Sequence, residues 1–227
     1  MHIPDGFLNN NLAGGLLAGS VGMLGYCLSK ILKTVPVASR VLTNNVSGTG
    51  IDSHLGFSEN ANKYFQKLAL IALWVFAFQM FNIPVKSATS AHLLGGAFAA
   101  ILAGPFAGFA IISFVLITQS LFFSDGGILA LGANIFNMAF IGSFLSYYAY
   151  KSFSRRIHCL GVFIACFFSV MTASLICLLE LGLSGSIMFS TAFKDMMNLH
   201  LGVACLETLI TLALIKAFRS INGQSNE

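Results

Sequence analysis

The chain has 227 residues, of which 56% are hydrophobic and only 9% are charged, and its formal net charge is +4 at pH 7. Soluble domains carry about 25% charged residues, so this composition excludes an ordinary soluble domain and indicates a polytopic membrane protein. We expect it to be all-α, because lipid leaves an open chain no other way to satisfy its backbone polar groups. The positive charge forms no basic patch, so nucleic acid is not expected as a partner.

The chain begins MHIPDGFLNN, a start without the basic stretch and apolar core of a signal peptide. We therefore expect residues 1–10 to remain in the protein and to present Met1 and His2. The α-amine, the amide nitrogen of residue 2 and Nδ1 of His2 can form two fused chelate rings around one metal ion. Such planar nitrogen ligands suit Cu(II), Ni(II) and Co(II). The alternative interpretation is that His2 is an ordinary surface residue near a frayed terminus.

Seven apolar segments follow. Crossing a bilayer takes about 20 helical residues, and six segments have that length, approximately 11–32, 67–83, 106–123, 129–150, 158–182 and 198–218. The seventh, 91–104, is short because Gly104-Pro105 ends its helix. The loop KSATS before it would then dip toward membrane depth, which is tolerated only inside protein or beside a polar cavity. The sequence predicts one integral membrane domain over residues 1–227, with about seven transmembrane helices.

The basic residues predict the orientation. With the N-terminus outside and seven crossings, all twelve Lys and Arg residues except Lys86 and Lys194 lie on the cytoplasmic side, in agreement with the positive-inside rule. The C-terminus is then cytoplasmic. Residues 41–62 are rich in Gly, Ser and Asn and are predicted to form a cytoplasmic loop. The five cysteines show no ligand spacing, so we expect apolar thiols rather than disulfides or a zinc site.

Polar residues within the apolar segments are candidates for function, because an unpaired polar group is costly at membrane depth. His92 is expected to begin the short helix, just after Ser90 and the polar stretch that contains it. It is either a metal ligand reached from the outer face or a packed histidine bonded to a carbonyl group.

A second polar face lies on the last helix, where His200 and Glu207 are two turns apart on the same side. These two residues form either an ion pathway or a hydrogen-bonded pair that joins helices. Gln119, Asn134 and Asn137 are predicted to orient ligands or to bond between helices, because carboxamides bind these ions weakly.

Four stretches resemble a known family: MHIPDGFL at the start, TSAHLLGGAFAAILAGPFAG at 89–108, QSLFFSDGGILALGANIFNM at 119–138 and HLGVACLETLIT at 200–211. They are similar to the substrate-binding membrane component (CbiM/NikM) of energy-coupling-factor cobalt and nickel transporters. The resemblance implies that the ion is held by the Met1 amine, the amide and imidazole of His2, and the imidazole of His92. The chain departs from the family at Lys86-Ser87-Ala88, where Gly-Gly often precedes TS, and in its long 41–62 loop.

The resemblance also implies partners: a transmembrane coupling subunit, cytoplasmic ABC-type ATPases and a small accessory membrane subunit. The chain itself would catalyse no reaction and carry no organic cofactor. It has no GxxxxGK[ST] motif, so ATP hydrolysis is expected of the partners. We expect a multi-pass protein of the bacterial plasma membrane that captures Co(II) or Ni(II) from outside. Neighbouring genes for cobalamin biosynthesis or for a nickel enzyme would separate the two metals.

Two other functions fit the sequence less well. An ATP-independent secondary transporter or channel for divalent cations would use the face formed by His200 and Glu207. An intramembrane protease is disfavoured, because the sequence contains neither GxSxG nor HExxH.

Overall fold

The computed structural model describes residues 2–35, 59–81, 83–85, 89–155 and 157–224, and within these ranges the chain forms seven helices and one short hairpin. The helices are α1 (Asn10–Thr34), α2 (Glu59–Gln79), α3 (Gly96–Ala103), α4 (Pro105–Phe122), α5 (131–153), α6 (His158–Leu183) and α7 (Phe189–Gln224). The hairpin consists of antiparallel strands β1 (Ile83–Val85) and β2 (Thr89–Ala91).

The predicted fold class, an all-α polytopic membrane protein, is confirmed. Within the described ranges four helices are long and apolar enough to cross a membrane: α1, α4, α6 and the Ala192–Phe218 part of α7. The number of crossings and the orientation stay predictions. Residues 41–58 of the loop predicted at 41–62 lie outside the described residues. Its last residues, 59–62, form the first turn of α2 instead.

The short helix begins later than we expected. The prediction that His92 starts this helix is wrong, because α3 starts at Gly96 and residues 92–95, named the His92 loop below, are not helical. Gly95 precedes α3 with a left-handed φ of +70°, a region that favours glycine. A Cβ at this position would also lie 2.9 Å from Cγ2 of Val75. The backbone at Gly95 therefore stops the helix from extending back to His92.

The helices α3 and α4 form a tight hairpin inside the bundle. Gly104 separates them with φ +88°, and Pro105 opens α4 in the first turn, where its missing N–H breaks no helical hydrogen bond. Close approach is possible because residue 108 is glycine, whose Cβ would lie 2.9 Å from the Ala100 Cα. The helix α3 also contacts α2, α5, α6 and α7. The surrounding helices therefore hold α3 and the His92 loop that leads into it.

Three of the segments predicted to lie on the cytoplasmic side, at the end of α1, the start of α2 and the α3–α4 turn, meet at one end of the bundle. The end of α1 and the starts of α2 and α4 share an apolar cluster formed by Ile31, Val35, Ala61, Ala107 and Ala110. At the same end, Lys67 Nζ of α2 donates a hydrogen bond of 2.8 Å to the Leu102 carbonyl of α3. This arrangement fits the predicted distribution of basic residues, which still rests on the sequence alone.

Candidate functional site

The N-terminal segment, residues 2–9, lies at the opposite end of the bundle and is held there by its own backbone. The Ile3 N–H donates to Asn134 Oδ1 at 2.8 Å, and Asn134 Nδ2 donates back to the Ile3 carbonyl at 3.2 Å. The same carbonyl accepts a bond of 2.9 Å from the Gly127 N–H. The Ile3 side chain is fully buried. These bonds fix the chain next to His2 on α5 and on the loop that precedes it.

Asp5 binds the N-terminal segment to the same loop. Its carboxylate accepts backbone N–H groups from Ile128, Leu129 and Ala130 at 3.1, 2.7 and 3.3 Å. These donors directly precede α5, so the negative charge also faces the positive end of that helix dipole. Gly127 leaves room for the carboxylate, since a Cβ there would lie 2.1 Å from Asp5 Oδ1.

The C-terminal part of the segment contacts the turn between α6 and α7. Ser186 Oγ donates to the Phe7 carbonyl, and the Asn9 N–H donates to Ser184 Oγ at 3.2 Å. The Asn9 side chain in turn accepts the Leu12 N–H at 2.8 Å and caps α1. The segment thus connects three parts of the bundle that are distant in sequence.

The side chain of His2, at the start of this segment, meets the side chain of His92 inside the bundle. Their ring centroids are 4.5 Å apart with an interplanar angle of 39°, and both side chains are buried. Nδ1 of His92 lies 2.8 Å from the Leu93 carbonyl, which can only accept, so Nδ1 carries the proton and Nε2 a lone pair. Nε2 of each ring has no hydrogen-bond partner among the described residues. Nε2 of His92, a buried imidazole nitrogen with an unused lone pair, can therefore serve as a metal ligand.

The loop between α4 and α5 wraps the ring of His2. Gly126 has φ +89°, and a Cβ there would lie 2.6 Å from His2 Nδ1 and 3.1 Å from Asn134 Nδ2. Asp125 Oδ2 lies 3.9 Å from His2 Nε2. The SDGG sequence therefore has a steric role, because any side chain at residue 126 would displace the imidazole.

Burial determines the protonation of His2. Loss of solvent around the ring, reinforced by the positive charge of the chain terminus, lowers the pKa of His2 from 6.5 to about 3. The imidazole is therefore neutral at pH 7, and only a neutral imidazole can donate a lone pair to a metal ion.

Side chains alone do not make a complete metal site here. In the part of the chain that the structure describes, no group of three or more His, Cys, Asp or Glu side chains is arranged to hold an ion. Two imidazoles meet, and any further ligands would have to be backbone nitrogens or the amine of Met1. Met1 lies outside the described residues, as do Lys86 and the side chain of Ser90.

His200 and Glu207 do not form the hydrogen-bonded pair that was one of our two interpretations. Nδ1 of His200 donates to the Met196 carbonyl at 2.7 Å, and its Nε2 has no partner among the described residues. The Glu207 carboxylate accepts the N–H groups of Leu94 and Gly95, each at 2.8 Å. Glu207 therefore binds the His92 loop rather than His200.

The remaining predicted residues have separate surroundings. Asn137 Nδ2 donates to Glu180 Oε2 at 2.6 Å and so connects α5 with α6. Gln119 is fully buried, and neither atom of its amide has a hydrogen-bond partner within the described ranges. Asn134 is the member of this group that touches the N-terminal segment.

Sequence reasoning missed two residues of this region, Asp5 and Gln79. It also missed Glu180, whose bond to Asn137 connects α5 with α6 and which, as an isolated carboxylate in an apolar helix, is a signal of pairing. Asp5 carried no signal beyond its place in a turn-like PDG sequence. Gln79, at the end of α2, donates from Nε2 to the Leu94 carbonyl at 2.7 Å. Its partner is in a loop that the sequence did not distinguish from helix.

The chain was compared with known families and proteins. A family model described as the cobalt uptake substrate-specific transmembrane region matches residues 2–224. A protein of Archaeoglobus fulgidus named as a fused nickel transport protein, NikMN, is 36% identical over 186 residues. That match covers 82% of this chain but 54% of the relative, so the chain spans about half of the relative's length.

Solved structures show the same fold. The crystal structure of a truncated transition metal transporter has a TM-score of 0.80 and 28% sequence identity, and the match covers 97% of this chain and 99% of that chain. The S component of a bacterial ECF transporter has a TM-score of 0.53 at 16% identity, with 70% of this chain and 97% of that chain covered. The second likeness concerns the fold alone.

Proposed function

The chain belongs to the family described as the cobalt uptake substrate-specific transmembrane region, and from this premise we propose that it captures Co(II) or Ni(II) at the outer face of the plasma membrane. It would act as the substrate-specific component of an ATP-driven energy-coupling-factor transporter. The observation that carries the proposal is the contact between two buried imidazoles, His2 and His92. Their ring centroids are 4.5 Å apart where the N-terminal segment docks on the bundle.

The proposed ligands are four nitrogen atoms. Two come from His2, its amide and its Nδ1, the third is the amine of Met1, and the fourth is Nε2 of His92. Amine, amide and imidazole of adjacent residues form two fused chelate rings, which suits ions that accept planar nitrogen ligands. The bond from His92 Nδ1 to the Leu93 carbonyl leaves Nε2 as the available donor. The ion is the transported substrate.

Capture and release follow from where these ligands lie. Three belong to Met1 and His2, at the start of the N-terminal segment, and one belongs to the His92 loop, so the segment must be docked to complete the ligand set. Release requires that the segment move away from the loop, against the bonds of Ile3 and Asp5. We assign that work to partners, a transmembrane coupling subunit and cytoplasmic ATPases. The fold likeness to an S component supports this assignment.

The alternative of an ATP-independent carrier or channel finds no support in the geometry around Glu207. Both of its carboxylate oxygens accept backbone N–H groups at 2.8 Å. The geometry therefore assigns this carboxylate to support of the His92 loop.

The test is calorimetric titration of the purified protein with Ni(II) and with Co(II). One extra residue ahead of Met1, which destroys the terminal chelate, and His92→Ala should each weaken binding by about 100-fold or more, since even an outer-shell partner contributes 10- to 100-fold. His158→Ala is the matched control, because this imidazole lies 3.1 Å from Tyr150 Oη at the other end of the bundle. Wild-type affinity in the extended protein or in His92→Ala would reject the proposed ligand set.

A further inference from the structure

The His92 loop contains one peptide group whose carbonyl and N–H are both hydrogen-bonded to side chains. The carbonyl of the Leu93–Leu94 peptide accepts the Nδ1–H of His92 at 2.8 Å. The N–H of the same peptide donates to Glu207 Oε2 at 2.8 Å. A continuous chain of hydrogen bonds therefore runs from the Glu207 carboxylate through one peptide group to the imidazole of His92.

Glu207 is well suited to polarise this chain. The residue is 2% exposed, and the other oxygen of its carboxylate accepts the Gly95 N–H at 2.8 Å. A carboxylate that accepts an amide N–H polarises that peptide group. The carbonyl oxygen then carries more negative charge and becomes a stronger hydrogen-bond acceptor. Hydrogen bonds inside a low-dielectric interior strengthen one another in this way.

The loop has little freedom to escape this arrangement. The Leu94 carbonyl is bonded by Gln79 Nε2 at 2.7 Å, and the Gly95 carbonyl accepts the Ala99 N–H at 2.9 Å. Val75 packs where a side chain at Gly95 would have to lie. The direction of the Leu93–Leu94 peptide is therefore set by α2 on one side and by Glu207 of α7 on the other.

We propose that Glu207 is a positioning residue for the metal-binding imidazole, acting on His92 through the Leu93–Leu94 peptide. It fixes the proton on Nδ1, fixes the direction of the ring, and increases electron density at Nε2. Carboxylates commonly do this by bonding a ligand histidine directly, whereas here a peptide group stands between the two. This inference rests on the proposed function, in which Nε2 of His92 binds the ion.

The test compares Glu207→Gln with Glu180→Gln. Both variants replace a buried carboxylate by an amide of the same shape, but Glu180 bonds Asn137 and makes no bond to the His92 loop. In Glu207→Gln one loop N–H would face an NH₂ donor instead of an acceptor. We expect Ni(II) affinity to fall by about 10- to 100-fold in Glu207→Gln, and to be unchanged in Glu180→Gln.

The absorption spectrum of the bound ion separates positioning from mere stability. At saturating Ni(II), the Glu207→Gln protein should show its d–d band shifted to lower energy, because a displaced imidazole gives a weaker ligand field. A weaker affinity with an unshifted band, or wild-type affinity and band together, would overturn the inference. If His92→Ala and the extended N-terminus lose binding while Glu207→Gln keeps it, the inference fails and the proposed function stands.

A second measurement needs no variant and so does not depend on how Glu207→Gln folds. Nitrogen-15 NMR of the metal-free wild-type protein reports which ring nitrogen of His92 is protonated. The hydrogen-bond chain requires the Nδ1–H form. Observation of the Nε2–H form would overturn the inference, whatever the titrations show.

Discussion

Asn134→Leu should release the N-terminal segment from the bundle. The asparagine makes two hydrogen bonds to the backbone of Ile3, at 2.8 and 3.2 Å, and is 1% exposed. In the variant the Ile3 carbonyl keeps its bond from Gly127, but the Ile3 N–H has no acceptor. A lost bond costs about 1 kcal/mol, and a buried unsatisfied N–H about 1–3 kcal/mol more. Docking of the segment should therefore weaken by about 2–4 kcal/mol, which is a factor of roughly 30–700.

Hydrogen exchange of the metal-free protein measures this directly, because exchange of residues 2–9 requires the segment to open. We expect their exchange to accelerate by the same factor of roughly 30–700. The matched control is Asn137→Leu, since Asn137 is one turn away on α5 and bonds Glu180 rather than the segment. Exchange of residues 2–9 should keep its wild-type rate in the control.

The result that refutes this reasoning is an Asn134→Leu protein whose residues 2–9 exchange at the wild-type rate. Docking would then depend on contacts other than the paired bonds to Ile3. The same outcome would remove the structural basis for placing Asn134 in the site. Accelerated exchange that is equal in both variants would instead indicate a general loss of stability.

Three further predictions concern the same end of the bundle. Gly126→Ala should weaken Ni(II) binding in calorimetry, since its Cβ would lie 2.6 Å from His2 Nδ1, whereas Gly104→Ala, with a similar φ of +88° and open space at the other end of the bundle, should not. Asp5→Asn should accelerate exchange of residues 2–9 by roughly tenfold, because hydrogen bonds to a charged group are worth about 1.5–3 kcal/mol and those to the neutral amide oxygen that replaces it about 0.5–1.5 kcal/mol; an unchanged rate would contradict this. Acid should undock the segment: the pKa of His2 is about 3 when docked and 6.5 when free, so the free form binds more protons. Docking is therefore fully stable above pH 6.5 and weakens as pH falls toward 3. The prediction is refuted if hydrogen exchange shows that residues 2–9 open no more often at pH 4 than at pH 7.

The sequence by itself determined the fold class and the break between α3 and α4. Both depend on local chemistry: apolar runs of bilayer length form helices because lipid cannot satisfy a bare backbone, and Pro105 cannot continue a helix through Gly104. The sequence also singled out His2 and His92 as candidate ligands, since a terminal histidine and a histidine beside a membrane-buried helix are each unusual.

Only the tertiary structure decided how those residues meet and what holds them. Asn134 and Ile3 are 131 positions apart, and Glu207 and Leu94 are 113 apart. No local pattern encodes such pairs, because each bond depends on how distant helices pack. For this reason the sequence predicts that α3 starts at His92, whereas hydrogen bonds donated to Glu207 and the left-handed backbone at Gly95 keep residues 92–95 out of the helix. The role of Glu207 changed with it, from a partner of His200 to the support of the His92 loop.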